Sequence, residues 1–175
     1  MSDSITTERL LLRPVRPSDA PALFEIFRLP DVARWSGTGE PMADPTEADA
    51  RIERWATRAG THPAAGIFAV ERLDTGAMIG TALLVPIPPS EGFESDDHEI
   101  GWHLHPDAWG SGFATEAATA LVQRAFAAGI PSLLAVTDPD NVRSQAVCAR
   151  LGMVDLGLRP DWYDRELRAF RLDPS

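Results

Sequence analysis

The segment from Gly110 to Ala128 constrains the fold more than any other part of this chain. Ala114, Ala117, Ala118, Leu121, Val122, Ala125 and Phe126 recur at helical spacing and make one continuous apolar face. Gly110 and Gly112 stand just ahead of that face, and a strand-like run, His98 to His105, stands ahead of the glycines. A helix with one apolar face must be covered, and the strand leading into it supplies a sheet to cover it.

The rest of the pattern agrees. The 175 residues are the length of one domain, 1–175. Arg9 to Val15 reads as a first strand, edge-like because of Pro14 and Pro17. Ser18 is placed to cap a helix that runs toward Pro30, and a second helix spans Thr46 to Ala59 with Gly60 just beyond it. Between them, Arg34 to Pro45 reads as an exposed loop. Gly66–Arg72 and Ala77–Val85 form a hairpin through Leu73-Asp-Thr-Gly76, and Pro86 to Asp97 is a second long polar loop. Gly112–Ala128, Leu133–Thr137, Asn141–Leu151, Val154–Leu158 and Glu166–Leu172 complete the elements. An antiparallel first half followed by a βαβ half predicts an α/β (α+β mixed) fold. It has one mixed, mostly antiparallel sheet with helices on both faces.

Charge narrows the function classes. Sixteen Lys+Arg against 26 Asp+Glu give a net charge of −10, which argues against nucleic acid and against docking on an anionic membrane. The single Cys148 excludes an internal disulfide framework and a cysteine-rich zinc site. With a polar N-terminus and no apolar run near the ~20 residues that span a bilayer, the expectation is a cytoplasmic protein.

Gly110-Ser-Gly112 at the start of a helix suits an anion, because exposed amides and the positive helix end hold phosphate without Lys or Arg. A plain turn is the simplest alternative. A dinucleotide site is another, with Asp138 at the end of the next strand. That site wants GxGxxG directly after a first strand; here the third position is Thr115, and Pro106 to Trp109 intervene. A P-loop is excluded, since no Lys-Ser or Lys-Thr follows.

Three ordered motifs carry a family resemblance: Glu99-Ile-Gly-Trp, the run Leu104-His-Pro-Asp-Ala-Trp-Gly-Ser-Gly-Phe-Ala-Thr-Glu-Ala, and Asp138-Pro-Asp-Asn-Val-Arg-Ser ending in Leu151-Gly-Met. With the opening Thr7-Glu-Arg-Leu-Leu-Leu-Arg-Pro, the chain resembles the GNAT superfamily of acyl-CoA-dependent N-acetyltransferases, and within it the RimJ/RimL-like branch. The resemblance implies acetyl-CoA as cosubstrate and a primary amine, in a small molecule or at a protein N-terminus, as acceptor; a homodimer is compatible with it. The pyrophosphate loop falls on Trp109, Gly110, Ser111, Gly112, Phe113, Ala114 and Thr115, with Trp109 where the superfamily has Gln or Arg. Leu104 and His105 would pair with the pantetheine arm, Asn141 would contact it, and Ser144 would sit near the thioester sulfur. Trp35, in the first long loop, falls where acceptor contacts are expected. A catalytically degenerate acyl-CoA sensor of the same fold is the alternative function.

Acetyl transfer needs a neutral amine and a proton for the leaving thiolate, and no covalent enzyme intermediate when both substrates are bound together. Period two along His98–His105 puts Ile100, Trp102 and Leu104 on one face and Glu99, Gly101, His103 and His105 on the other, cleft-facing one. Glu99 is the candidate base; its plain reading is an exposed carboxylate at a strand end. Ser144 is the candidate acid, with Tyr163, the only tyrosine, as a remote alternative. Cys148 stands where many family members have a tyrosine, and reads as a small core residue beside Val147 and Leu151. His103 also reads as an acceptor-site residue. His103 and His105 lack a third ligand for a metal, and none is expected.

Overall fold

The computed structural model describes residues 4–174. One eight-stranded sheet runs in the order β1 (Ile5–Thr6), β2 (Leu10–Pro14), β3 (Gly66–Arg72), β4 (Met78–Pro86), β5 (His98–Leu104), β6 (Leu133–Thr137), β8 (Arg165–Leu172) and β7 (Val154–Trp162). Every neighbouring pair is antiparallel except β5 with β6. Helices α1 (Ala20–Phe27), α2 (Pro30–Ala33) and α3 (Thr46–Arg58) lie between β2 and β3, α4 (Phe113–Ala127) between β5 and β6, and α5 (Val142–Arg150) between β6 and β7. This is the mixed, mostly antiparallel sheet with helices that the sequence pattern predicts. Among the described residues no helix is long and apolar enough to cross a membrane.

The apolar face of α4 does what its spacing demands. Ala117, Ala118, Leu121 and Ala125 are buried against Leu10, Leu12, Phe68, Val70, Ile100 and Leu104 of the sheet, with Trp102 packed beside them. On the other face of β5, His103 lies against Phe27 of α1, ring centroids 5.5 Å apart. Phe27 sits in a second core with Leu23, Ile26, Val32 and Ala48, joined by Ile52 and Trp55 of α3. The sheet is therefore covered on both sides, and β5 separates the two cores.

Element ends differ from expectation for local reasons. Ser18 does not cap α1: it lies within a 3-10 turn, Pro17–Asp19, and the Asp19 carboxylate accepts from the Arg16 amide and from Arg13 instead. β5 stops at Leu104 because His105 opens a second 3-10 turn, with its ring Nδ1 accepting from the Asp107 amide. β7 runs on past Leu158 to Trp162; Pro160 is tolerated because β7 is the outermost strand. The short β1 pairs Ile5 with Leu12 and had no separate sequence signal.

Candidate active site

Parallel pairing of β5 with β6 covers only His98–Leu133 and Glu99–Leu134. Beyond Glu99 the two strands part, and the gap opens into a cleft of about 1490 Å³. The His105 amide donates to Ile79 O on the β4 side, so by ladder alternation the backbone groups of Trp102 and Leu104 point into the gap. Leu104 O already accepts from the Trp109 indole at 2.9 Å, and the His105 amide is committed to β4. The free edge therefore consists of the Trp102 N–H and C=O and the Leu104 N–H, so that of the Leu104–His105 pair marked from sequence only the Leu104 N–H belongs to it.

The glycine loop closes one end of this cleft. Gly110 and Gly112 take φ of 75° and 80°, a left-handed conformation that glycine adopts without strain. Gly112 is the N-cap of α4, and the first helical bond runs from the Glu116 amide to Gly112 O. The amides of Phe113, Ala114 and Thr115 thus lack an intrahelical acceptor and sit at the positive end of a 15-residue helix. The Thr115 hydroxyl, also lining the cleft, is buried without a hydrogen-bond partner. The Trp109 side chain, held by Leu104 O, offers its ring to Arg143, whose guanidinium lies 4.3 Å from the centroid. Arg143 thereby supplies a cation beside the loop that the bare motif lacks. The loop is pinned from outside: Arg9 donates to Ser111 O and Glu116, Thr7 donates to Glu116, and the Arg9 guanidinium covers the Phe113 ring.

At the fork between β5 and β6 stands Glu99. It is buried, only 5% exposed, which corrects the reading of an exposed strand-end carboxylate. Arg58 donates to its Oε1 at 2.6 Å, and the Tyr163 hydroxyl donates to the same oxygen. Burial pushes the Glu99 pKa above the ordinary carboxylate value, while Arg58 and Tyr163 pull it back. Burial likewise pushes the Tyr163 hydroxyl up, reinforced by the Glu99 charge. Tyr163 reaches Glu99 from the β7–β8 turn, where it and Asp164 take φ of 61° and 50°. The Tyr163 and Asp164 amides donate to Pro88 O and the Ser90 hydroxyl of the 86–97 loop.

The second motif caps α5: Asn141 Oδ1 accepts from the Ser144 amide at 3.2 Å, and Asn141 lines the cleft. Ser144 is half-buried on the first turn and lines the gap. Asp138 accepts from the Asp140 amide and pairs with Arg165, so it is engaged within its own loop. Cys148 is fully buried in the core with its thiol pKa pushed up to about 12 by burial. Trp35 and His103 both line the cleft; Trp35 lies under Arg34 at 4.3 Å. Burial, then the Arg51 charge, lowers His103 to about 4, against a hydrogen bond to the Trp35 backbone; its imidazole is neutral at physiological pH. His105 is outside the strand and acts as a turn cap. Among the described residues no group of His, Cys, Asp and Glu could hold a metal.

Sequence reasoning missed Arg58, Arg51 and Arg143. Arg51, Arg54, Trp55 and Arg58 recur at i, i+3, i+4 and i+7 on α3, a spacing that marks one helix face.

Comparison with known proteins agrees with this geometry. Residues 9–154 match the family model for the acetyltransferase (GNAT) domain. The uncharacterized N-acetyltransferase YoaA of Bacillus subtilis is 32% identical over 161 residues, which cover 88% of this chain and 84% of that protein. The crystal structure of an acetyltransferase from Agrobacterium tumefaciens superposes with a TM-score of 0.76 at 27% identity, covering 99% of this chain and 96% of the other. RimJ of Mycobacterium smegmatis, solved in complex with CoA-disulfide, shares the fold with a TM-score of 0.70 at 23% identity, covering 94% and 81%.

Proposed function

The chain belongs to the GNAT acetyltransferase family and is an acetyl-CoA-dependent N-acetyltransferase; on that premise we propose that it acetylates a primary amine, of a small molecule or a protein N-terminus, by direct transfer in the cleft between β5 and β6. The observation that carries this reading is the parting of β5 from β6 at Glu99, beside a helix start with free amides. The residues present suit the ligand. The amides from Gly110 to Thr115 would hold the pyrophosphate with Arg143 alongside, and the open edge at Trp102 and Leu104 would pair with the pantetheine arm, with Asn141 opposite.

Acetyl-CoA supplies an activated acyl carbon. Glu99 accepts the amine's proton through water, because its raised pKa suits a base and its position at the fork puts it at the head of the gap. The amine nitrogen bonds to the acyl carbon, the carbon–sulfur bond breaks, and the departing thiolate takes a proton from Ser144, which is reprotonated by solvent water. Tyr163 is less suited to that step, since its hydrogen is already donated to Glu99. His103 and Trp35 face the acceptor. The reading includes a cytoplasmic protein, and a homodimer for which the exposed Val154, Leu156 and Leu158 of the outermost strand β7 are the support.

A thiol-release assay with acetyl-CoA and a panel of amines tests the reading. Amine-dependent CoA release, with Ser144→Ala lowering kcat and leaving CoA affinity intact, is the expected result. Tight CoA binding without turnover on any amine would favour the degenerate acyl-CoA sensor.

A further inference from the structure

Arg51 poses a question that acetyl transfer does not answer. It lies half-buried in the cleft wall, its guanidinium 4.2 Å from the Phe27 ring centroid and 5.9 Å from that of Trp55. Among the described residues its one hydrogen bond goes to the Ser36 hydroxyl at 3.3 Å, although a guanidinium offers five N–H donors. No carboxylate pairs with it among the described residues. Glu47, the carboxylate whose charge it feels, is itself held by the Ala43 and Asp44 amides. Arg54, one turn along the same face, adds a second positive charge, and desolvation together with Arg54 disfavours the Arg51 cation. The aromatic faces offset part of this cost, but a sequestered cation beside another is ordinarily paired. Arg58, on the same face, shows the paired state with Glu99.

We propose that the acceptor carries a carboxylate, which the Arg51 guanidinium holds while the amine lies at Glu99. The inference rests on the amine-transfer reading above and deepens it. Helix geometry sets the size of the acceptor. Seven residues separate Arg51 from Arg58, about 10 Å along the axis at ~1.5 Å per residue. The carboxylate therefore lies several bonds from the amine, as in an ω-amino acid, or in an acidic side chain near a peptide N-terminus. A planar guanidinium grips such a carboxylate through two parallel N–H bonds.

The test is kcat/KM on matched pairs that differ only in charge: ω-amino acids of three to six carbons against their amides, and Ser-Asp-Asp-initiated peptides against Ser-Asn-Asn ones. The ω-amino acid arm and the peptide arm separate the two sources of the carboxylate. The wild-type chain should prefer the acid over its amide at least tenfold in one arm, through KM. In Arg51→Gln that preference should collapse toward one, and in Arg51→Lys it should return in part. Equal use of acid and amide by the wild type overturns the carboxylate, and leaves amine transfer standing. So does a preference that survives Arg51→Gln in a variant that still binds CoA. No turnover of any member overturns this inference alone, and amine transfer then rests on the broader amine panel above.

Discussion

Burial and pairing oppose each other at Glu99, and the balance sets how it can act. Burial raises its pKa, while Arg58 and the Tyr163 hydroxyl favour the ionised form. Removing the hydroxyl with Tyr163→Phe should raise the Glu99 pKa further, so the acid limb of the kcat/KM–pH profile should move to higher pH; an unmoved limb would detach Tyr163 from the base. Glu99→Gln keeps the shape but cannot take a proton. Its rate should fall by about 10²–10⁴-fold at pH values where the amine arrives protonated, and recover toward the amine's own pKa; a profile parallel to wild type would leave Glu99 a positioning role only. His103 links to stability instead. Its pKa is about 4 when folded, against 6.5 for the free group, so the unfolded chain takes up a proton that the folded chain refuses. Stability from this site is full above about pH 6.5 and declines as pH falls toward 4, by on the order of 3 kcal/mol. His103→Gln should flatten that part of the urea-derived stability–pH curve.

The glycine loop and α4 work as one element because two residues outside the loop, Thr7 and Arg9, fix its position. Thr7 and Arg9 both bond Glu116, and Arg9 also bonds Ser111 O. Burial alone would raise the Glu116 pKa, but these bonds outweigh it and hold the carboxylate below its usual range. Glu116→Gln should therefore weaken CoA binding severalfold in a calorimetric titration while the far-UV spectrum stays native. Gly112→Val should be more severe: a branched residue at φ 80° is strained by ~1–3 kcal/mol, and its side chain would stand against the Arg9 guanidinium that pins the loop. At least tenfold weaker CoA binding in a folded variant is expected, and unchanged affinity would remove the phosphate site. Much of this element was legible in the sequence. The periodic alanines and Leu121 announced α4, and the glycines announced the turn that leads into it. What stayed hidden depends on contacts between residues far apart in the chain. No local pattern tells that Tyr163 is 64 residues from Glu99 and bonded to it, or that Arg9 clamps a loop about a hundred residues on. The plain alternative for Glu99, an exposed strand-end carboxylate, failed for the same reason, since its cover comes from α3 and the β7–β8 turn.

Across the whole molecule, charge is distributed against its own sum. The net charge is −10, and all sixteen basic residues are arginines; Arg34, Arg51, Arg54, Arg58, Arg143, Arg150 and Arg165 all line the cleft. An acidic surface around an arginine-lined cleft suits a phosphorylated cosubstrate and an acceptor with a negative end. In the proposed reaction the two substrates would meet where one sheet divides, CoA held from the β6, α4 and α5 side and the acceptor from the α1 and α3 side, so that no acyl-enzyme is required. The one thiol, Cys148, is buried with its pKa at about 12 and cannot serve as a nucleophile. Initial rates measured over a grid of acetyl-CoA and amine concentrations test this account most directly. Direct transfer in a ternary complex predicts double-reciprocal lines that intersect. Parallel lines, with acetyl found bound to the protein when amine is withheld, would contradict it.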